Sequence, residues 1–256
     1  MGLGILGLIK GNFTAVWEPV PKGLPAREVL VYLCDSVSLA SGIGLLLQRT
    51  AAAASRLLLG YLLIWFVLFR LPVIFHAPFV AVTWEGCGET VVVIAAAWVL
   101  YGWFAADADR WHLGFASREN GVCVARVLYA LAMVAFGIAH LAYVKDTASL
   151  VPAWLPWHMA WVYITGYAYT AAGLAILIGV WGRLAVSLSA LQMGLFTLLV
   201  WIPIVAAGAT DPSQLSETLV SWALTVSGWV VADSYRSPVW LPVPGSSKRA
   251  AGAFMR

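Results

Sequence analysis

Apolar residues run along this chain in long blocks separated by short polar stretches. Taking runs of about 17 to 25 residues as membrane-crossing helices, blocks fall at 28–47, 57–75, 90–106, 127–144, 158–180, 184–206 and 218–235. An eighth, at 2–16, is shorter and is interrupted by Lys10, Gly11 and Asn12. It has no basic leader and no small-residue cleavage site before Trp17, so it reads as a first helix rather than a removable signal peptide. Breaks such as Gln48 to Arg56 and Trp181 to Arg183 are too short to hold another element, so successive helices must run antiparallel. The expectation is an all-α membrane protein of about eight transmembrane helices.

Composition supports lipid as the solvent. Of 256 residues, 62% are hydrophobic and 11% charged, against roughly 25% charged in soluble domains, and the mean hydropathy is +0.86. The net charge of +3 reads as a topology signal, and no nucleic-acid partner is expected. Ten basic residues fall on one face: Arg49, Arg56, Arg110, Arg118, Arg126, Arg183, Arg236, Lys248, Arg249 and Arg256. Three fall on the other, Lys22, Arg27 and Lys145. Positively charged loops resist translocation, which places both termini in the cytoplasm. The opposite face collects Glu18, Glu28, Glu85, Glu89, Asp146, Asp211 and Glu217, with Trp17, Trp84, Trp154 and Trp157. Three cysteines, Cys34, Cys87 and Cys123, lack C-x-x-C spacing and read as small apolar fillers.

The chain repeats itself. Val20-Pro21-Lys22-Gly23-Leu24-Pro25 matches Val151-Pro152-Ala153-Trp154-Leu155-Pro156, 131 positions on. The same offset pairs Tyr32 with Tyr163, Gly42 with Gly173, Leu46 with Leu177 and Pro72 with Pro203. A shift of 128 pairs Glu89-Thr90 with Glu217-Thr218. Each copy holds about four helices, and because four is even, two tandem copies lie the same way up, as parallel repeats. The expected division is a first module at 1–106, a cytoplasmic connection at 107–126, a second module at 127–235 and a cytoplasmic tail at 236–256. Pro72 and Pro203 are expected to kink or end their helices.

His140, Val151-Pro152-x-Trp154-Leu155-Pro156, Trp161-x-Tyr163-x-Thr165-Gly166, Ala172-Gly173-Leu174 and Arg183-Leu184-Ala185 together resemble the DoxX-like family of small bacterial membrane proteins. The first half resembles a diverged copy of the same module. The resemblance implies a four-helix bundle per module, the bacterial inner membrane, and an association with thiosulfate-to-quinone redox systems. It carries over no catalytic residue.

Ionisable side chains within a span are costly and mark function by default. Asp35 and Arg70 each lie about 8 to 11 Å deep at 1.5 Å per residue. They are expected either to pair, locking two helices, or to serve a quinone headgroup, with Trp201 at the position equivalent to Arg70. His140 suits proton shuttling or a hydrogen bond to a quinone carbonyl, against a structural bond to a neighbouring helix. Only His158 offers it a partner for haem, which is disfavoured. Glu85 and Glu89, with His76 and Asp146 near the surface, read as a proton or surface site, and no metal set is expected. Glu89 and Glu217 are also explained as carboxylates in the first turns of their helices.

No Walker loop, H-E-x-x-H helix or nucleophile elbow is present, so no catalysis by the chain alone is expected. The leading expectation is an accessory or anchoring subunit of a quinone-linked redox assembly, contacting lipid and other membrane subunits, with a quinone or lipid as ligand. The alternatives are a transporter of small molecules or lipids, and a structural or assembly protein without activity.

Overall fold

The computed structural model describes residues 1–105, 114–117, 119–208 and 211–235, without the side chains of Ala15 and Pro212. Every described element is helical. Eight helices build the body: α1 (Gly2–Lys10), α2 (Arg27–Leu46), α3 (Ala51–His76), α4 (Ala81–Phe104), α5 (Glu119–Ala142), α6 (His158–Leu177), α7 (Gly182–Ala206) and α8 (Pro212–Asp233). Among the described residues seven, α2 to α8, are long and apolar enough to cross a membrane.

The expected first span is not a continuous membrane-length helix. Nine residues of α1 rise only about 13 Å, under half of the ~30 Å hydrocarbon thickness. Gly11 ends the helix in the left-handed conformation, at φ 65°. The chain then enters the bundle as irregular backbone with a short 3-10 turn, Ala15–Trp17. Such backbone survives at membrane depth only where protein satisfies it, and here side chains do so. Trp65 donates Nε1–H to the Trp17 carbonyl at 2.9 Å. Arg70 and Thr90 both donate to the Val16 carbonyl at 3.4 Å. Around this plug Phe13, Trp17, Tyr61, Trp65 and Phe69 stack or meet edge-on, with centroids 4.4 to 5.9 Å apart, geometry worth roughly 0.5 to 1.5 kcal/mol per pair.

Several helices begin earlier than the apolar runs suggest. The alanine run Ala51–Ala54 is helical despite its modest hydrophobicity, because alanine is the best helix former. Helix α4 starts at Ala81 rather than 90, drawing Glu85 and Glu89 inside a span. Helix α8 starts at Pro212 rather than 218 and draws in Glu217. Neither α4 nor α8 has an acidic residue in its first turn, so the first-turn explanation of Glu89 and Glu217 is corrected. Asp211 caps α8 instead, its carboxylate accepting the Ser213 N–H at 3.0 Å. Part of the expected 107–126 connection is the first turns of α5. There Arg126 leaves the role of a loop charge and donates to the Ser234 hydroxyl at 3.0 Å and to the Ser234 carbonyl, with its guanidinium over the Tyr235 ring.

Pro72 and Pro203 do not end their helices. Each follows a five-residue π-helical stretch, Phe66–Arg70 or Thr197–Trp201, in which the next N–H reaches back five residues, Leu71 to Phe66 and Ile202 to Thr197. The wider turn accommodates a residue that lacks a donor and crowds the preceding turn.

Small residues set the closest helix contacts, as in membranes where no hydrophobic force drives association. A Cβ on Gly173 of α6 would stand 2.6 Å from the Ala130 carbonyl of α5. On Gly88 of α4 it would stand 2.9 Å from the Phe136 ring. Arg49, Arg56, Arg126 and Arg183 gather at one end of the bundle, and Lys22, Arg27 and Lys145 at the other. Arg110, Arg118, Arg236, Lys248, Arg249, Arg256 and the 236–256 tail lie outside the described residues.

Candidate functional site

Near the acidic end, α4, α5, α6, α7 and α8 surround a cavity of about 170 Å3. Glu85 and Glu89 reach it from α4, His140 from α5, Trp201 from α7 and Glu217 from α8. Phe136, Tyr169, Met193 and Phe196 form its apolar wall. Glu85 and Glu89 are four apart, so one helix face presents both.

His140 is held in a defined state. Its Nδ1 lies 2.9 Å from the Phe136 carbonyl, which only accepts, so Nδ1 carries the proton and Nε2 offers a lone pair when the ring is neutral. Nε2 is buried and has no protein partner. Tyr169 and Phe196 meet the imidazole edge-on, with centroids at 5.4 and 6.5 Å. The site therefore combines a fixed acceptor nitrogen, three carboxyl groups that donate when protonated and accept when ionised, and an aromatic wall. Beside it, the Thr197 and Ser221 hydroxyls bond at 2.7 Å and tie α7 to α8.

Arg70 stands behind the cavity, 6% exposed, within electrostatic reach of Glu89, Glu18 and Glu217. Gly86 makes room for it, since a Cβ there would lie 2.9 Å from Nη1. The expected pairing of Arg70 with Asp35 is not formed. Asp35 is fully buried where α1 crosses α2, and neither of its carboxylate oxygens has a hydrogen-bond partner.

Of the eight candidates, Glu85, Glu89, His140 and Trp201 converge, Arg70 adjoins them, and Asp35, His76 and His158 lie elsewhere. His76 bonds back to the Pro72 carbonyl at 2.8 Å at the end of α3. His158 begins α6 away from the cavity, and so does not face His140 across a haem site. His76 and Asp146 do not join Glu85 and Glu89, and among the described residues no three His, Cys, Asp or Glu side chains are placed to hold a metal ion. Sequence reasoning passed over Glu217, Tyr169 and Phe196. The signal for Glu217 was present, since the 128-residue shift makes it the counterpart of Glu89.

Comparison with known protein families, with curated proteins and with solved structures finds no match.

Proposed function

We propose that the chain is an accessory or anchoring subunit of a quinone-linked redox assembly in the bacterial inner membrane, and that the cavity holds the quinone headgroup. One observation carries this reading. The partnerless His140 Nε2 and carboxyl groups from α4 and α8 converge on a single aromatic-walled cavity. A quinol hydroxyl donates to Nε2, a quinone carbonyl accepts from a protonated glutamic acid, and the ring lies along the aromatic wall. The ligand assignment thereby moves from Asp35 and Arg70 to His140, Glu85, Glu89 and Glu217, with Trp201 beside them. The DoxX-like resemblance of the second half points to the same redox setting.

The reading includes two same-way-up modules, with both chain ends on the cytoplasmic side. It is supported by element boundaries 131 residues apart. Arg27–Leu46 corresponds to His158–Leu177, Ala51–Trp65 to Gly182–Phe196, and the π stretch Phe66–Arg70 to Thr197–Trp201. Ala26 and Trp157, each preceding a helix, are both left-handed, at φ 55° and 58°. In this frame α1 is the counterpart of the last turns of α5. Glu89 and Glu217, paired by the repeat, face the same cavity, an arrangement compatible with an axis along the membrane normal that passes beside it.

The test is saturable binding of the reduced quinol of ubiquinone carrying one isoprene unit, measured by titration calorimetry under anaerobic reducing conditions on the purified protein in detergent. The wild type binds, and His140→Ala weakens binding about tenfold, equivalent to ~1.4 kcal/mol. No saturable binding, or an unchanged His140→Ala variant, contradicts the proposal. The excess of carboxyl groups over the single arginine favours a second reading, a carrier of protonated amines. Uptake of such a cation into proteoliposomes, driven by a pH gradient, selects that reading.

A further inference from the structure

A second cavity, of about 280 Å3, opens between α6 and α7 toward the basic end. Its walls are mostly alanines and leucines, with Ala168, Ala171, Ala172 and Ala175 on α6 and Leu188 on α7, joined by Trp181, Ser189 and Gln192. The corresponding pair α2 and α3 differs at one close contact. There Gly44 lies against Ala54, so closely that a Cβ on Gly44 would stand 2.7 Å from the Ala54 Cβ. The residues 131 positions on are Ala175 and Ala185, two methyl groups where the first pair has one. Ala175 and Ala185 both line the groove.

This groove adjoins the headgroup cavity. Gln192 lines the groove and its neighbour Met193 lines the cavity; Ala168 lines the groove and its neighbour Tyr169 lines the cavity. The Tyr169 hydroxyl and the Gln192 amide share a hydrogen bond, and Gln192 Nε2–H also donates to the Thr165 carbonyl at 3.1 Å. A thin polar partition, one side-chain pair deep, thus separates an apolar slot from a polar, aromatic-walled chamber on the same two helices. That order of surfaces matches a molecule with a hydrogen-bonding ring at one end and a hydrocarbon tail at the other.

We propose that the α6–α7 groove seats the isoprenoid tail of the ligand whose headgroup occupies the cavity, the tail passing the Tyr169–Gln192 partition. This rests on the quinone reading above. The tail enters from the lipid, since Ala168 and Ala171 are exposed on the outer surface of a membrane-crossing helix.

The test compares ubiquinones with one isoprene unit and with a ten-carbon alkyl tail, in the wild type and in Ala172→Leu, with Ala168→Leu as a second groove-filling variant. Melting curves in detergent show which variants are folded. The tailed ligand is expected to bind the wild type at least tenfold tighter, and a folded groove-filling variant to lose that advantage while keeping its affinity for the short-tailed ligand. Equal affinities in the wild type, or a tail preference that survives in a folded variant, overturn the groove assignment and leave the headgroup site standing. Failure of both ligands to bind the wild type overturns the quinone reading itself.

Discussion

Asp35 sits against α1 with no group to answer its charge. A side chain on Gly7 would run into the Asp35 carboxyl group, so glycine at position 7 is what lets α1 seat there. Gly7→Ala is expected to cost about 1 to 3 kcal/mol through overpacking. Asp35→Ala removes the carboxyl group, and the double variant should recover most of the loss, a coupling expected only of residues in contact. Thermal melting of the four proteins in one detergent measures it. Additive losses would show that α1 does not pack on Asp35. At this scale the sequence supplied the correct suspects more readily than their partners. Asp35 and Arg70 were legible as costly intramembrane charges at matching depths. That Arg70 instead faces Glu89 and Glu18 follows from the 11–17 plug between the helices, and no residue spacing announces that plug.

Asp211 works at the scale of a whole helix, because its carboxylate answers an N–H that begins α8. That bond, from the Ser213 backbone, holds the Asp211 carboxyl below its ordinary value of 3.8. A depressed carboxyl contributes stability above its unfolded pKa and loses it as pH falls through the folded value. Asp211→Ala should therefore melt lower than the wild type at neutral pH, with the gap closing once pH drops below about 3.8. A gap that persists in acid would assign the loss to something other than the cap. The helices themselves were readable as apolar runs, but their starts were not. Residues 81–89 of α4 mix Thr83, Glu85, Gly86 and Glu89 with apolar positions, and a hydrophobic-run criterion stops short of them. These polar residues are tolerated because α4 turns Glu85 and Glu89 toward a cavity rather than toward lipid. The same criterion hid the site, since it placed Glu85, Glu89 and Glu217 at a surface.

Across the whole molecule, the proposal of two modules lying the same way up rests on the boundary matches at 131 residues and on the cavity that Glu89 and Glu217 share. The charge asymmetry read as placing both termini in the cytoplasm is carried within the bundle by Arg49, Arg56, Arg126 and Arg183 at one end. The departure from eight continuous membrane-length helices lies in α1, whose nine residues match, 131 positions on, only the last turns of α5. Its apolar composition resembled a span, and Gly11 and the proline-rich stretch after it cut the helix short. The most direct measurement is cysteine accessibility to a membrane-impermeant reagent in a Cys123→Ala background. The positions are Lys22→Cys, Asp146→Cys, Gln48→Cys and Ile178→Cys. Two same-way-up modules predict that Lys22→Cys and Asp146→Cys react from outside intact cells, whereas Gln48→Cys and Ile178→Cys react only after permeabilisation. Reaction of Lys22→Cys and Asp146→Cys from opposite sides would contradict the account.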